Sequence, residues 1–335
     1  MGAVHGIEGF GPEYVLPNHD AFNETCAAVG NVLFNYRMFL LHKDAKYLDV
    51  AEVALLNNVL AAVNLEGNRF FYVNPLDADG KYPFNHGTAG RAPWFGTACC
   101  PSNMARLLPQ VPGMTYAHDN GDLYVTFFAE SETRVDMDGV DVGIRQTTAY
   151  PNDGEVSIEI NPTEPVDFRL RLRVPTWTGD QFVPGALYRY VGDSNERATV
   201  TVNGKPVQLQ VVKGFTTIER EWKRGDRVVL SLPMPLRITQ CHPSVEANVG
   251  RIAFTRGPFV MCAEGVDNDG ATQRFFVDRL PNVSKTKVYT TAIDSGSFIQ
   301  ASVGVKTLTS SGGTARSKLE LTPYYAWNNR GTSSM

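Results

Sequence analysis

Cysteine is scarce in this sequence: five in 335 residues, namely Cys26, Cys99, Cys100, Cys241 and Cys262. An odd, sparse set in a long chain is not a disulfide scaffold, so the fold must rest on buried apolar surface. Charge of one sign is also lacking. Lys and Arg number 31 against 35 Asp and Glu, a net charge of −4 with no block of like charges. That excludes the electrostatic footprint of nucleic-acid or acidic-membrane binding. No apolar run reaches the length of a membrane span. The first fifteen residues, "MGAVHGIEGFGPEYV", have neither a charged n-region nor an apolar h-region. The expectation is a soluble protein of a reducing, bacterial-type cytoplasm. A sequon, Asn23-Glu24-Thr25, overlaps the candidate site below, where a glycan would obstruct it. No internal repeat or low-complexity tract is present.

The 43% hydrophobic content is enough for two or three domains with cores of their own. From about residue 20 to 65 the apolar spacing is helical. Val29, Leu33, Tyr36 and Leu40 recur at helical intervals with further apolar residues on the other faces, predicting a helix covered all round. A second helix is predicted at "DAKYLDVAEVALLNNVLAAVNL", with Asp44 as N-cap and Gly67 closing it, and a third, short one from Pro101. After residue 112 the pattern alternates, as in "DLYVTFFAE", "VSIEI", "DFRLRLRVP", "ATVTV" and "DRVVLSL". Turn signals separate these strands, among them Asn203-Gly204, a type I′ hairpin signal. The predicted organisation is a helical segment over 1–111, an antiparallel β-sandwich over 112–237 and a second β-sandwich over 238–335. Three helices, one apolar on all sides, cannot cover themselves, so the helical segment belongs to a larger helical body.

The vicinal cysteines in "GTACCPSNMARLL" precede Pro101, which suits the start of a helix. Unpaired N–H groups and the helix dipole favour thiolate there. Glu24 and Cys26 follow Asn23, a candidate cap. Two residues apart they point away from each other on a regular helix and converge only from an irregular first turn. Together Glu24, Cys26, Cys99 and Cys100 offer three thiolates and a carboxylate, a donor set suited to zinc. By spacing alone, Cys26 reads as a small core residue on a buried helix, and the vicinal pair as either ligands or packing. Cys241 and Cys262 are read as structural. Trp94 is read as core, and His5 as a loop residue within reach of a substrate.

The stretches "LPNHDAFNETCAAVGN", "DAKYLDVAE", "FFYVNPL", "RAPWFGTACCPSNMARLL" and "TPYYAWNNRG" resemble glycoside hydrolase family 127, the β-L-arabinofuranosidase family, with family 146 a close relative. The resemblance implies an α+β multidomain chain: the C-terminal portion of an (α/α)6 barrel followed by antiparallel β-sandwich domains. It implies a retaining glycosidase acting on β-L-arabinofuranosides or related plant-glycan sugars, with Zn2+ held by Glu24, Cys26, Cys99 and Cys100. Cys99 would be the nucleophile, Glu8 in "HGIEGFG" the acid/base, and Glu52 and Tyr72 would touch the sugar. Read without the resemblance, Glu8 is a surface acid, Glu52 either the wet edge of a helix or a buried partnered group, and Tyr72 a packed aromatic. Family members carry most of their barrel upstream of Glu8. Activity therefore calls for a segment or partner chain that supplies those helices. The competing reading is a non-catalytic carbohydrate-binding or assembly module built on the sandwiches, its orphaned helices forming an interface.

Overall fold

The structure is a computed structural model and describes residues 9–192, 194, 196–270, 272–283 and 286–335. Glu8 and His5 lie outside the described residues. A layer of helices caps a β-sandwich, and a further large sheet follows.

Helix α1 (Thr25–His42) carries no proline and stops at Lys43, whose φ of 52° is left-handed. Its buried stripe is Ala28, Val29, Val32, Asn35 and Phe39. The predicted stripe is therefore rotated: Val29 is buried, Leu33 and Tyr36 are half-buried, and Leu40 is exposed. The register follows the sheet beneath, where Phe39 packs on Tyr124 and Phe215 at ring-centroid distances of 5.8 Å each. The opposite face is uncovered, with Phe34 62% and Leu41 73% exposed.

Helix α2 (Lys46–Val53) passes directly into a π-helical stretch, Ala54–Val59, where one continuous α-helix was expected. Asn57 accounts for the change. Its Nδ2 donates to Val53 O at 2.8 Å and to Pro258 O at 2.9 Å. A side chain inserted into the i to i−4 ladder loosens the helix. Here it also ties the helix to the last third of the chain, because Val260 N donates to Asn57 Oδ1. Asp44 lies one position before the cap, Ala45, and accepts from Lys46 N at 3.0 Å. Ala45 itself is pressed against the 213–214 turn. A Cβ on Gly214, already at φ +74°, would lie 2.5 Å from Ala45 Cβ.

The sandwich is built from a five-stranded and a six-stranded sheet. The first runs Tyr116–Asp119, Asp122–Val125, Val166–Arg173, Phe215–Trp222, Val211–Val212. The second runs Ser131–Met137, Val140–Thr148, Glu155–Pro162, Asp226–Ser231, Thr199–Val202, Lys205–Val207. Period-2 alternation puts Leu123, Ile144, Ile158, Leu170, Trp222 and Val228 into one core between them. Asn203 and Gly204 both take positive φ, the conformation of the predicted I′ hairpin. The outer face of the five-stranded sheet is apolar too. Tyr124, Phe127 and Phe215 join the core of the helices, so the sheet covers one side of a helical layer that could not cover itself.

Beyond residue 235 the strands form one eight-stranded sheet. Its edge strand, Tyr188–Val191, comes from the middle of the chain and pairs with Leu236–Cys241. The last residues return to the helical segment, where Ala78 and Met335 exchange both backbone hydrogen bonds. Trp327 stacks on Phe71 at 5.2 Å, and Arg91 donates to Trp327 O and Ala61 O. Among the described residues no helix is long and apolar enough to cross a membrane.

Candidate metal-thiolate site

Two short segments meet to build the site. Thr25 N donates to Tyr72 O at 3.0 Å and Thr25 Oγ1 donates to Phe71 O at 2.9 Å. Glu24 thereby forms an isolated bridge with Val73. Glu24, rather than Asn23, is the N-cap residue of α1, in extended conformation and with no side-chain cap bond. That extended residue supplies the irregular first turn that lets Glu24 and Cys26 converge. Helix α3 (Cys99–Leu107) starts two residues earlier than predicted, making the vicinal cysteines its first two members. Pro101 still fits, since the N–H it lacks would have no partner within the helix.

Glu24, Cys26, Cys99 and Cys100 are brought together, their ligand atoms all within 4.8 Å of one another. Cys26 Sγ and Cys100 Sγ are 3.3 Å apart, and Cys99 Sγ and Cys100 Sγ 3.9 Å. Glu24 Oε1 lies 3.8 Å from both Cys99 Sγ and Cys100 Sγ. No pair is at bonding distance and all five cysteines are free. A tetrahedral ion with Zn–S bonds of about 2.3 Å sets its sulfurs roughly 3.8 Å apart. The cluster could hold a metal ion: its donors are of the kind zinc takes, the Cys99–Cys100 pair is at that spacing and the Cys26–Cys100 pair is closer.

Burial pushes the Cys26 thiol up to about 12, although the Asn103 amide, 3.1 Å from its sulfur, pulls the other way. Burial also raises the thiol of Cys100, which has no exposed surface. Without a cation these groups hold their protons; a divalent ion reverses that balance. Tyr72 is 5% exposed, and its hydroxyl lies 3.2 Å from Cys99 Sγ. Burial and the neighbouring Cys99 and Glu24 raise the Tyr72 hydroxyl, which stays protonated.

Two neighbours of the cluster were not singled out in the sequence. The His86 ring lies 4.3 Å from that of Tyr72 and 5.7 Å from that of Phe95. It stands on a turn with φ of 51° at a non-glycine residue. Asn85 fixes this turn by donating to Phe70 O and Gly90 O while accepting from Tyr72 N. Asn103 is the other. The His86-Gly87 and Pro101-Ser102-Asn103 contexts carry no signal of a site until the folded chain sets them beside Tyr72 and Cys26.

Glu52 is not brought to the cluster. It is 1% exposed and fully committed: Oε1 accepts from Arg173 Nη2 and the Tyr150 hydroxyl, Oε2 from Arg173 Nη1 and Trp177 Nε1. Of the two readings the sequence left open, it is the buried, partnered group. Trp94, expected in the core, is 60% exposed with its edge on Phe70. Its neighbour Phe95 is the buried one of the pair. Cys241 and Cys262 lie in strands of the eight-stranded sheet, away from the cluster.

Comparison with known proteins agrees along nearly the whole chain. Residues 1–113 match a family model described as the GH127 catalytic domain of beta-L-arabinofuranosidase. Residues 122–234 match its GH127 middle domain, and 236–335 the C-terminal domain of glycoside hydrolase family 127. A non-reducing end beta-L-arabinofuranosidase of Bifidobacterium longum subsp. longum is 32% identical over 278 residues, covering 81% of this chain and 40% of that protein. Among solved structures, a GH127 beta-arabinofuranosidase superposes with a TM-score of 0.92 at 39% identity, covering 100% of this chain and 52% of the other. A GH127 beta-L-arabinofuranosidase from Geobacillus stearothermophilus T6 gives 0.86 at 33% identity, covering 99% and 52%. The chain thus spans about half the length of these relatives.

Proposed function

Because the chain belongs to glycoside hydrolase family 127, we propose that it carries the zinc-thiolate centre of a retaining glycosidase acting on β-L-arabinofuranosides or related plant-glycan sugars. The observation that carries this reading is the convergence of Glu24, Cys26, Cys99 and Cys100 within 4.8 Å, Cys100 buried and the other three half-buried. Zinc, when bound there, keeps the sulfurs as thiolates at neutral pH.

The chain's own groups divide the chemistry. Cys99 Sγ attacks the anomeric carbon as the glycosidic C–O bond breaks, and Glu8 protonates the departing oxygen. The Tyr72 hydroxyl, held protonated by burial, orients the Cys99 sulfur and can donate to it whenever it bears negative charge. In the second half Glu8 takes a proton from water, water attacks the anomeric carbon, and the C–S bond returns its electron pair to Cys99. Glu52 ties the helical layer to the sandwich instead of meeting the sugar, since every acceptor position it has is taken.

In this reading the helices are part of an (α/α)6 barrel completed by a further segment or partner chain. The uncovered Phe34 and Leu41 favour such a covering surface. Five free thiols suit a reducing cytoplasm.

The test is turnover of an aryl β-L-arabinofuranoside by zinc-loaded protein, with mass spectrometry of the Cys99 peptide during the reaction. The expected results are release of L-arabinose, a pentosyl increment on Cys99, and loss of both in Cys99→Ala. Glu8→Gln should slow turnover by two orders of magnitude or more, roughly the contribution of an acid/base group. Zinc-loaded protein with its helical layer completed, yet inert on arabinofuranosides, overturns the substrate assignment.

A further inference from the structure

The three sulfurs of the cluster have three different neighbours. Cys100 has no exposed surface. Cys99 faces the Tyr72 hydroxyl at 3.2 Å. Cys26 alone is met by an amide, Asn103 Nδ2 at 3.1 Å. Which end of an amide faces a sulfur is decided by what the other end touches. Arg106 Nη1 donates to Asn103 Oδ1 at 2.8 Å, and a guanidinium offers donors only, so the oxygen faces Arg106 and the NH2 faces Cys26. Helical spacing makes the chain of contacts. Cys99, Asn103 and Arg106 are at i, i+4 and i+7 of α3, stacked along one face.

We propose that Asn103, braced by Arg106, is a positioning residue that holds Cys26 as a non-reacting metal thiolate and so leaves Cys99 as the sulfur that attacks. The inference rests on the metal-ligand reading above. Four anionic donors outnumber the two positive charges of the ion, and electron density left on the sulfurs makes each of them a potential nucleophile. An N–H donated to a coordinated sulfur withdraws part of that density, weakening it as a nucleophile while it stays a ligand. The guanidinium of Arg106, itself in solvent, polarises the amide and extends its positive charge inward. Burial keeps Cys100 from any substrate. Two sulfurs are thus held back by different means, and the third, Cys99, meets only a neutral hydroxyl with no guanidinium behind it among the described residues.

The experiment uses the whole chain loaded with zinc or with cobalt(II), comparing wild type with Asn103→Ala, Asn103→Asp and Arg106→Ala. Circular dichroism establishes that each variant is folded, and the exposed Arg106 makes its variant the safe one. In wild type, limiting iodoacetamide should label Cys99 before Cys26. In Asn103→Ala the label should spread to Cys26, and the thiolate-to-cobalt absorption should move to longer wavelength. Zinc affinity against a competing chelator should drop about tenfold, the size expected for loss of an outer-shell partner. Asn103→Asp should lose more, and Arg106→Ala should move all three readouts in the same direction by less. Folded variants with the wild-type label partition and cobalt spectrum overturn the inference while leaving the metal site standing. A wild-type chain that binds no metal overturns the metal reading, and this inference with it.

Discussion

Two of the polar clusters in this molecule, each holding a glutamate, meet the cost of leaving water in opposite ways. At Arg173 the charges answer one another. The guanidinium has no exposed surface and donates to Asp49, Glu52 and Thr126 O, while Trp177 and Tyr150 fill the remaining positions on Glu52. Burial acts to lower the Arg173 pKa, but the Glu52 and Asp49 carboxylates outweigh it and the group is raised. Nothing is left over to bind anything else. At Cys99 and Cys100 the donors are all of one kind. Three thiols and a carboxylate converge with an amide, a hydroxyl and a backbone carbonyl beside them among the described residues, an arrangement completed by a cation. An acid withdrawn from solvent marks a ligand site when its neighbours leave its lone pairs free, and a structural tie when they do not. Glu24 and Glu52 illustrate the two cases.

The contrast can be broken most directly at the thiols. The Cys99→Ala/Cys100→Ala double variant should fall from about one zinc per chain to none by elemental mass spectrometry, because half of the donor set that a structural zinc ion requires is gone. Zinc retained by the double variant would mean that the cluster is not the metal site. Next in size is Arg173→Met, which strands two buried carboxylates and should cost about 3–5 kcal/mol in denaturant unfolding. Zinc per folded chain should stay unchanged, and joint replacement of Asp49 and Glu52 by leucine should recover most of the loss.

A third measurement separates the clusters by pH. With the Cys26 thiol at about 12 and the Cys100 thiol raised as well, both are protonated in the metal-free chain across the neutral range. Metal must displace those protons, so affinity falls as pH is lowered, by roughly tenfold per pH unit for each proton released. Titration calorimetry in buffers of different ionisation heat counts the protons; a pH-independent affinity between 6 and 9 would contradict the assignment. The smallest effect is Trp177→Phe, which removes one donor from Glu52 at a cost of about 1.5 kcal/mol, visible in the melting temperature but not in metal content.

The sequence makes the donor set legible because all four ligands sit in two short motifs at helix starts, where capping geometry is local. The Asn203-Gly204 hairpin is legible for the same reason. Glu52 is not, since its meaning depends on Arg173, 121 positions further along the chain. The strand Tyr188–Val191 is not among those the alternation predicts, and no local signal says that this segment leaves the sandwich to pair with Leu236–Cys241. The rotation of the α1 stripe is decided by the sheet below it. Asn103 and His86 become part of the site only through packing, and polar residues in a helix and a turn look the same whether or not a sulfur or a tyrosine lies beyond them.

The return of the chain's last residues to the helical segment has a consequence for the order in which the protein is made. Arg91 hydrogen-bonds to Trp327, 236 positions later, and the ring of Trp327 is the floor against which Phe71 and Phe84 stack. At about 5–20 residues per second, the ribosome leaves that floor missing for roughly 12 to 50 seconds after Arg91 has emerged. The cysteines meanwhile wait beside an aromatic layer with one side open. The wall that carries Tyr72 is synthesised well before the residue that finishes it.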